Sequence, residues 1–218
     1  MDDAKNIIAR RIAQELHDGD VVNLGIGLPT LVANYLPEGV DITIQSENGV
    51  LGVNGSPEKG KEDPDLINAG GKHITVRKGS SYFDTATSFG IIRGGHVDAT
   101  VLGALEVDEK GNLASHMVPG KMVSGMGGAM DLATGAKKII IGTLHTNNGK
   151  AKILKNLTLP ITAVGVVKLI VSEMAVIEVS PLGLVLKEIA EGTTVEQVKA
   201  ATEAELMLSP DLKTFSVQ

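Results

Sequence analysis

The sequence contains no cysteine and no tryptophan, and it has only three phenylalanines and two tyrosines. The absence of cysteine excludes disulfide bonds, thiolate nucleophiles and thiolate metal ligands. Few aromatic side chains are left for stacking on nucleic acid bases, and a net charge of −6 disfavours binding to a phosphate backbone. No apolar run is long enough to span a membrane, and the acidic start Met1-Asp2-Asp3 does not resemble a signal peptide. The composition therefore predicts a soluble, cytoplasmic protein that binds neither nucleic acid nor a membrane.

Glycine and aliphatic residues are abundant instead, with 26 glycines and a hydrophobic fraction of 43%. This combination is typical of an α/β protein whose parallel strands are buried on both faces. A strand at 21–24, a helix at 30–36 and a strand at 42–45 form a predicted βαβ unit. We predict one domain over residues 1–218, an α/β fold with a single open, mostly parallel sheet and flanking helices. Further predictions are an N-terminal helix that Asp2 or Asp3 caps and that ends at 17–20, a loop at 52–66, a helix at 84–92, and strands near 74–76, 100–102 and 138–142. The C-terminal part has apolar runs at 175–179 and 184–186 and a predicted helix with a capping box between Thr194 and Gln197.

The hexapeptide Gln45-Ser46-Glu47-Asn48-Gly49-Val50 places one carboxylate where a short strand ends in a turn. Strand alternation predicts that Ile42 and Ile44 point inward and Gln45 outward. Asn48-Gly49 is a turn dipeptide, so Glu47 lies between a rigid strand and a tight turn. A carboxylate held in this way can act as a nucleophile, a general base or a metal ligand, whereas an arbitrary loop glutamate is simply solvated.

Two glycine-rich segments could hold a ligand. Gly25-Ile26-Gly27 follows a predicted strand and opens a helix, although Thr30 stands where a dinucleotide fingerprint has its third glycine. It can orient backbone N–H groups toward a ligand or serve as a structural turn. Gly125-Met126-Gly127-Gly128-Ala129-Met130-Asp131, which overlaps the glycine-dense stretch 120–128, can aim N–H groups at an oxyanion or form a flexible loop. The five histidines share no metal-ligand spacing, so no metal site is predicted.

Several blocks together resemble the family I CoA-transferases, and within that family the β subunit of the 3-oxoacid type, which includes acetate/butyrate–acetoacetate CoA-transferases. The resemblance extends from about residue 5 to about residue 210 and keeps the family's order of blocks. The blocks are Asn23-Leu24-Gly25-Ile26-Gly27-Leu28-Pro29-Thr30, Ile44 to Gly52, Ile67-Asn68-Ala69-Gly70, Ile92-Arg93-Gly94-Gly95-His96-Val97-Asp98, Val118-Pro119-Gly120-Lys121-Met122 and Gly125 to Leu132.

The resemblance implies a two-part enzyme in which this chain is the β half and a separate α subunit completes a hetero-oligomer, α₂β₂ or larger. It implies that Glu47 forms a glutamyl-CoA thioester while CoA moves between a short-chain acyl or 3-oxoacyl group and a free acid by a ping-pong mechanism. Coenzyme A is then a substrate, and no tightly bound cofactor is needed. The implied substrate- and CoA-binding residues are Asn23, Gly25, Ile26, Gly27, Asn48, Gly127, Gly128 and Ala129.

Two other functions stay open on the same scaffold: an acyl-CoA hydrolase, and a non-catalytic CoA-binding regulatory domain. The chain also departs from the family pattern. Ala114-Ser115-His116 replaces a common Ala-Asn-Trp, and Thr143-Leu144-His145 replaces a common Met-Glu-His. Lys72 lies one position later than the lysine of some relatives, and we assign it no role at this point.

Overall fold

The computed structural model describes residues 2–120 and 125–216. Lys121, Met122, Val123 and Ser124, part of the predicted glycine-dense stretch, lie outside the described residues. The helices are α1 (Asp2–Ala13), a 3₁₀ helix (Leu28–Asn34), α2 (Thr85–Arg93), α3 (Ala129–Gly135) and α4 (Val195–Ala201). The strands are β1 (Val21–Leu24), β2 (Thr43–Ser46), β3 (Val50–Gly55), β4 (Thr75–Tyr82), β5 (Ala99–Leu102), β6 (Glu106–Asp108), β7 (Leu113–Ala114), β8 (Lys138–Gly142), β9 (Thr146–Asn147), β10 (Lys150–Ala151), β11 (Ile153–Leu154), β12 (Leu169–Val171), β13 (Ala175–Ser180), β14 (Gly183–Ala190) and β15 (Leu206–Phe215).

A ten-stranded sheet with the order β15-β14-β13-β12-β8-β5-β1-β2-β3-β4 forms the centre of the fold. Its middle strands, from β12 through β8, β5 and β1 to β2, run parallel. Antiparallel strands flank them on both sides: β3 and β4 beyond β2, and β13 and β14 beyond β12. The α/β class with an open, largely parallel sheet is therefore confirmed.

Alternate residues of the middle strands pack on opposite faces of the sheet, which explains their nearly continuous apolar sequences. Ile8 and Ile12 of α1 pack against one face, together with the 3₁₀ helix. Helices α2, α3 and α4 cover the other face. Each fully buried Ile or Leu contributes about 1.5–3 kcal/mol, so the two apolar layers fix the sheet between its helices. Buried members of the two layers include Val22, Val101 and Ile140 on the α1 face, and Ile92, Leu132, Ile139, Ile141 and Val198 on the other.

The local signals in the sequence were confirmed in several places. Strand β8 has the predicted bounds, and β1 and β2 pair in parallel around a helical crossover. Thr194 and Gln197 form the predicted capping box at the start of α4. Both ends of the box depend only on residues three apart, so neighbouring residues suffice to specify it.

Three local predictions were wrong. The crossover helix is a 3₁₀ helix, Leu28–Asn34, which begins and ends two residues earlier than the predicted 30–36, with Pro29 in its first turn. The predicted loop at 52–66 begins later, since 50–55 forms β3. Gln45, predicted to face outward, is only 1% exposed. Strand β2 lies inside the sheet and is covered on both faces, so the simple alternation of buried and exposed residues fails there.

The carboxyl ends of the parallel strands meet at one edge of the sheet, where α/β proteins usually bind their ligands. Glu47 directly follows β2 at this edge, and Asn23 and Gly25 lie at the end of the neighbouring β1. Within residues 2–120 and 125–216, no helix combines the length and the apolar character needed to cross a lipid bilayer.

Candidate active site

Glu47 begins a tight turn that is tied to the start of α2. The N–H of Gly49 donates to the Ser46 carbonyl at 3.0 Å, and the N–H of Phe83 donates to the Gly49 carbonyl at 3.0 Å. Gly49 has a φ of +118°, and a methyl group there would collide with the carbonyl of Phe83. Only glycine fits this position. The Asn48 side chain donates to the Ile67 carbonyl at 2.8 Å. The predicted turn is confirmed, and it holds Glu47 rigidly.

The half-buried carboxylate of Glu47 lies between an amide and a glycine. Asn23 Nδ2 donates to Glu47 Oε2 at 3.1 Å. On the other side, a methyl group on Gly128 would lie 3.3 Å from Oε1 and 3.2 Å from Cγ of Glu47. No lysine, arginine or histidine among the described residues forms an ion pair with this carboxylate. Glu47 is therefore placed by neutral groups and keeps one oxygen toward the glycine backbone.

Asn23 is itself held by a buried side chain from β2. Its Nδ2 donates to Gln45 Oε1 at 2.7 Å and lies 3.2 Å from the Gln45 carbonyl oxygen. Gln45 Nε2 in turn donates to Ser88 Oγ of α2 at 2.9 Å. Asn23, Gln45 and Ser88 are each at most 1% exposed. Gln45 and Ser88 were not among the predicted site residues; a glutamine in a strand that is covered on both faces is the signal that points to them.

The first glycine segment forms a wall of the site. The N–H of Gly25 donates to the Val101 carbonyl at 2.8 Å, so it is not available to a phosphate. Gly27 has a φ of +86°, which lets the chain turn into the 3₁₀ helix. Ile26 is 73% exposed and contacts the loop at Gly70. The segment therefore forms a structural turn beside Glu47. Because the N–H of Gly25 is already bonded to Val101, it does not support a dinucleotide-binding site.

The second glycine segment reaches the site at Gly128, directly before α3. Gly127 is exposed and has a φ of +54°. The N–H of Ala129 donates to the Met126 carbonyl at 3.2 Å. Of this segment, it is Gly128 that touches Glu47. The structure thus brings Asn23, the Gly25–Gly27 turn and Gly128 to Glu47, whereas the side chain of Asn48 is directed to a loop carbonyl.

A small pocket of about 40 Å³ lies over Glu47, and a larger groove of about 700 Å³ adjoins it. Leu24, Thr30, Ser46, Asn68 and Lys72 line both, so the two spaces are neighbours. Asn68 Oδ1 accepts the N–H groups of Gly70 at 2.9 Å and Lys72 at 3.0 Å, which shapes the loop between the spaces. The groove also contains Arg77, which pairs with Asp41 at 2.8 Å.

A second polar cluster lies beyond the carboxyl end of β8. His145 is fully buried, and its ring lies 2.8 Å from both Ser172 Oγ and Thr202 Oγ1. Burial in this region lowers the pKa of His145 to about 4, because an imidazolium there would lose its hydration. Burial also lowers the pKa of Lys152, despite the opposing effect of Glu173. This cluster joins β8 to α4 and does not include Glu47.

The sequence from residue 5 to residue 201 matches the family model described as coenzyme A transferase. The chain is 57% identical to the β subunit of the acetate CoA-transferase of Haemophilus influenzae, over 98% of this chain and 96% of that protein. It is 49% identical to one subunit of the probable succinyl-CoA:3-ketoacid coenzyme A transferase of Bacillus subtilis, over 96% of this chain and 97% of that protein. The crystal structure of the acyl-CoA transferase YdiF of Escherichia coli O157:H7 aligns with a TM-score of 0.76 and 24% identity, over 98% of this chain and 43% of that one.

The chain forms an open α/β sheet, and the Glu47 carboxylate lies at its carboxyl edge among neutral groups. Together with the match over nearly the whole chain, this shows that the protein belongs to the coenzyme A transferase family. The resemblance seen in the sequence is thereby confirmed.

Proposed function

We propose that this chain is the β subunit of a CoA-transferase that moves CoA between a short-chain acyl-CoA or 3-oxoacyl-CoA and a free carboxylic acid through a thioester on Glu47. The single observation that carries the proposal is the placement of the Glu47 carboxylate between the Asn23 amide and Gly128 without an ion pair among the described residues. A carboxylate that is positioned without a neighbouring cation is a stronger nucleophile, because no positive charge withdraws its electron density.

The reaction begins when Oε1 of Glu47 attacks the thioester carbonyl carbon. The C–S bond breaks, CoA leaves as a thiolate, and an anhydride joins the acyl group to Glu47. The thiolate then attacks Cδ of Glu47, the acyl carboxylate leaves, and a glutamyl-CoA thioester remains. A second carboxylate reverses these steps and departs as its CoA thioester. Charge and atoms balance without a metal or a redox cofactor.

Asn23 has a specific task in this sequence. While the thiolate adds to Cδ of Glu47, negative charge develops on Oε2, and Asn23 Nδ2 lies 3.1 Å from that oxygen. A donor placed at the developing oxyanion lowers the activation free energy by about 3 kcal/mol. Gly128 allows the acyl group to approach Oε1, because any side chain there would fill the space beside the carboxylate. In this proposal Gly127 and Ala129 line the same wall.

We further propose that the groove of about 700 Å³ holds CoA. It lies beside the Glu47 pocket, shares lining residues with it, and combines apolar walls at Ile42, Ile44 and Ile74 with the cation Lys72. Such a mixture suits a pantetheine arm followed by phosphates. Gly25, Ile26 and Gly27 line the pocket at the thioester end, and Asn48 keeps the neighbouring loop in place.

The proposed partner is the α subunit, as the names of the relatives suggest. Ile26, Ile67 and Met130 are 73%, 41% and 39% exposed and belong to the segments around the pocket. Exposed apolar side chains that surround a functional pocket are typical of a protein interface. We propose that residues 1–218 act as one unit that the α subunit completes.

The test is to co-produce the chain with an α subunit and to incubate the complex with acyl-CoA. We expect Glu47 to become heavier by the mass of CoA less water, and exchange to require an acceptor acid. Glu47→Gln should abolish both, while Glu62→Gln, a change at an exposed loop carboxylate, should leave them intact. Full exchange by Glu47→Gln would contradict the proposal, and rapid CoA release without any acceptor acid would indicate a hydrolase instead.

A further inference from the structure

A buried chain of polar side chains leads from α2 to the carboxylate of Glu47. Ser88 Oγ lies 2.9 Å from Gln45 Nε2, Gln45 Oε1 lies 2.7 Å from Asn23 Nδ2, and Asn23 Nδ2 lies 3.1 Å from Glu47 Oε2. Asn23 and Gln45 are directly opposite each other in the pairing of β1 and β2. Neither Gln45 nor Ser88 reaches Glu47 itself, so any effect of theirs on the reaction must pass through Asn23.

The orientation of both amides is fixed by their partners. The Gln45 carbonyl can only accept, so the Asn23 atom 3.2 Å from it must be the nitrogen. Turning the Asn23 amide over would place its oxygen against three acceptors. Turning Gln45 over would place two NH₂ groups 2.7 Å apart. One arrangement of the two amides is therefore far more stable than the others.

Asn23 Nδ2 has two hydrogens and faces three acceptors. Gln45 Oε1 is the nearest and occupies one hydrogen. The second hydrogen is then directed to the side where Glu47 Oε2 and the Gln45 carbonyl lie. Without the Gln45 side chain, the Asn23 amide could rotate to satisfy the backbone carbonyl alone, and its N–H would no longer be held toward Glu47.

We propose that Gln45 is a positioning residue for the CoA-transfer reaction: it orients the Asn23 amide toward Glu47 Oε2, and Ser88 holds Gln45 in the orientation that does so. The proposal rests on the proposed function for its kinetic consequence. Its structural content, that Gln45 sets the direction of the Asn23 amide, is independent of which acids are exchanged.

The first experiment compares Gln45→Met and Ser88→Ala with the wild-type complex containing the α subunit. Methionine matches glutamine in size but accepts no strong hydrogen bond. We expect Gln45→Met to slow formation of the Glu47 thioester by about 10- to 100-fold, by analogy with the loss of a hydrogen-bond partner that orients a metal ligand. Because Gln45 also lines the groove proposed to hold CoA, the rates are compared at saturating acyl-CoA. Ser88→Ala should lower the rate by less, since Gln45 keeps its contact with Asn23.

The second experiment separates positioning from a general loss of structure. In an Asn23→Ala background, Gln45→Met should cause no further loss of rate, because the residue through which it acts is gone. Thr100→Val is the matched control: Thr100 is fully buried beside Asn23 in β5, and its hydroxyl has no partner within the described part of the chain. That variant should keep its rate. Additive losses in the double variant, or an equal loss in Thr100→Val, would overturn the proposal.

A crystal structure of Gln45→Met gives a readout that does not depend on activity. We expect the Asn23 amide to be turned away from Glu47 or to occupy more than one rotamer. An Asn23 amide that keeps its place in the variant would overturn the proposal, whatever the kinetics. A wild-type complex that forms no thioester would instead contradict the proposed function and leave this structural comparison decisive for Gln45.

Discussion

Replacing Gly128 by alanine tests how closely the reaction depends on the position of the Glu47 carboxylate. The added methyl group would lie 3.2 Å from Cγ and 3.3 Å from Oε1 of Glu47, and 3.4 Å from the ring of Phe89. Relaxed contacts between such atoms are about 3.5–4.0 Å, so the carboxylate must move by roughly half an ångström. A displacement of about 1 Å costs on the order of 100-fold in rate, so we expect about a tenfold loss.

The backbone itself should accept this change. Gly128 has a φ of −84°, which alanine adopts readily, but it is the N-cap of α3, where glycine is preferred to alanine, so the fold should lose about 1 kcal/mol at most. The assay is the single-turnover rate of Glu47 thioester formation, followed by mass spectrometry, together with the melting temperature. Gly90→Ala is the control, because a methyl group at this α2 position would meet no atom within 4 Å. A full rate in Gly128→Ala, or an equal loss in Gly90→Ala, would refute the reasoning.

Two further predictions concern stability. In the folded protein the pKa of His145 is about 4, below the ordinary 6.5. Between these two pH values the unfolded chain binds more protons than the folded protein does. The free energy of unfolding should therefore fall by about 3 kcal/mol from pH 6.5 to pH 4. Denaturant titrations should show a weaker pH dependence in His145→Gln, and an unchanged slope would contradict this account. Gly135→Ala would force a methyl group into the Ile92 carbonyl where α3 meets α2. We expect the free energy of unfolding to fall by about 1–3 kcal/mol and the melting temperature to fall with it. A melting temperature equal to that of wild type would show that the helices can separate freely there.

The parts of the fold that the sequence predicted well depend on short stretches of chain. The turn at Asn48-Gly49 is specified by a dipeptide, and the capping box at Thr194 by residues three apart. Strand β8 is a compact aliphatic run between lysines and a glycine. In each case the signal and the structure it specifies occupy the same few residues, so no distant part of the chain had to be known.

The candidate site was predicted only in part for the opposite reason. Glu47 and Gly128 come together although about 80 residues of other structure separate them, and the family resemblance, not periodicity, brought both into one prediction. Gln45 and Ser88 lie 43 positions apart and meet only because α2 packs on the face of the sheet toward which Gln45 points. Alternation along a strand predicts two faces, but it does not say that both are covered, and so it placed Gln45 in solvent.

The pairing of β1 with β2 is what converts these separate sequence signals into one site. Asn23 is opposite Gln45 in this pairing, and Glu47 follows two residues later on the same side of β2. A shift of one residue would turn Asn23 to the α1 face, where Val22 now packs, and would bury an amide among apolar side chains. The apolar residues that fix the register therefore also fix the distance between Asn23 and Glu47. The reactive geometry depends on the core of the sheet as much as on the residues that carry out the chemistry.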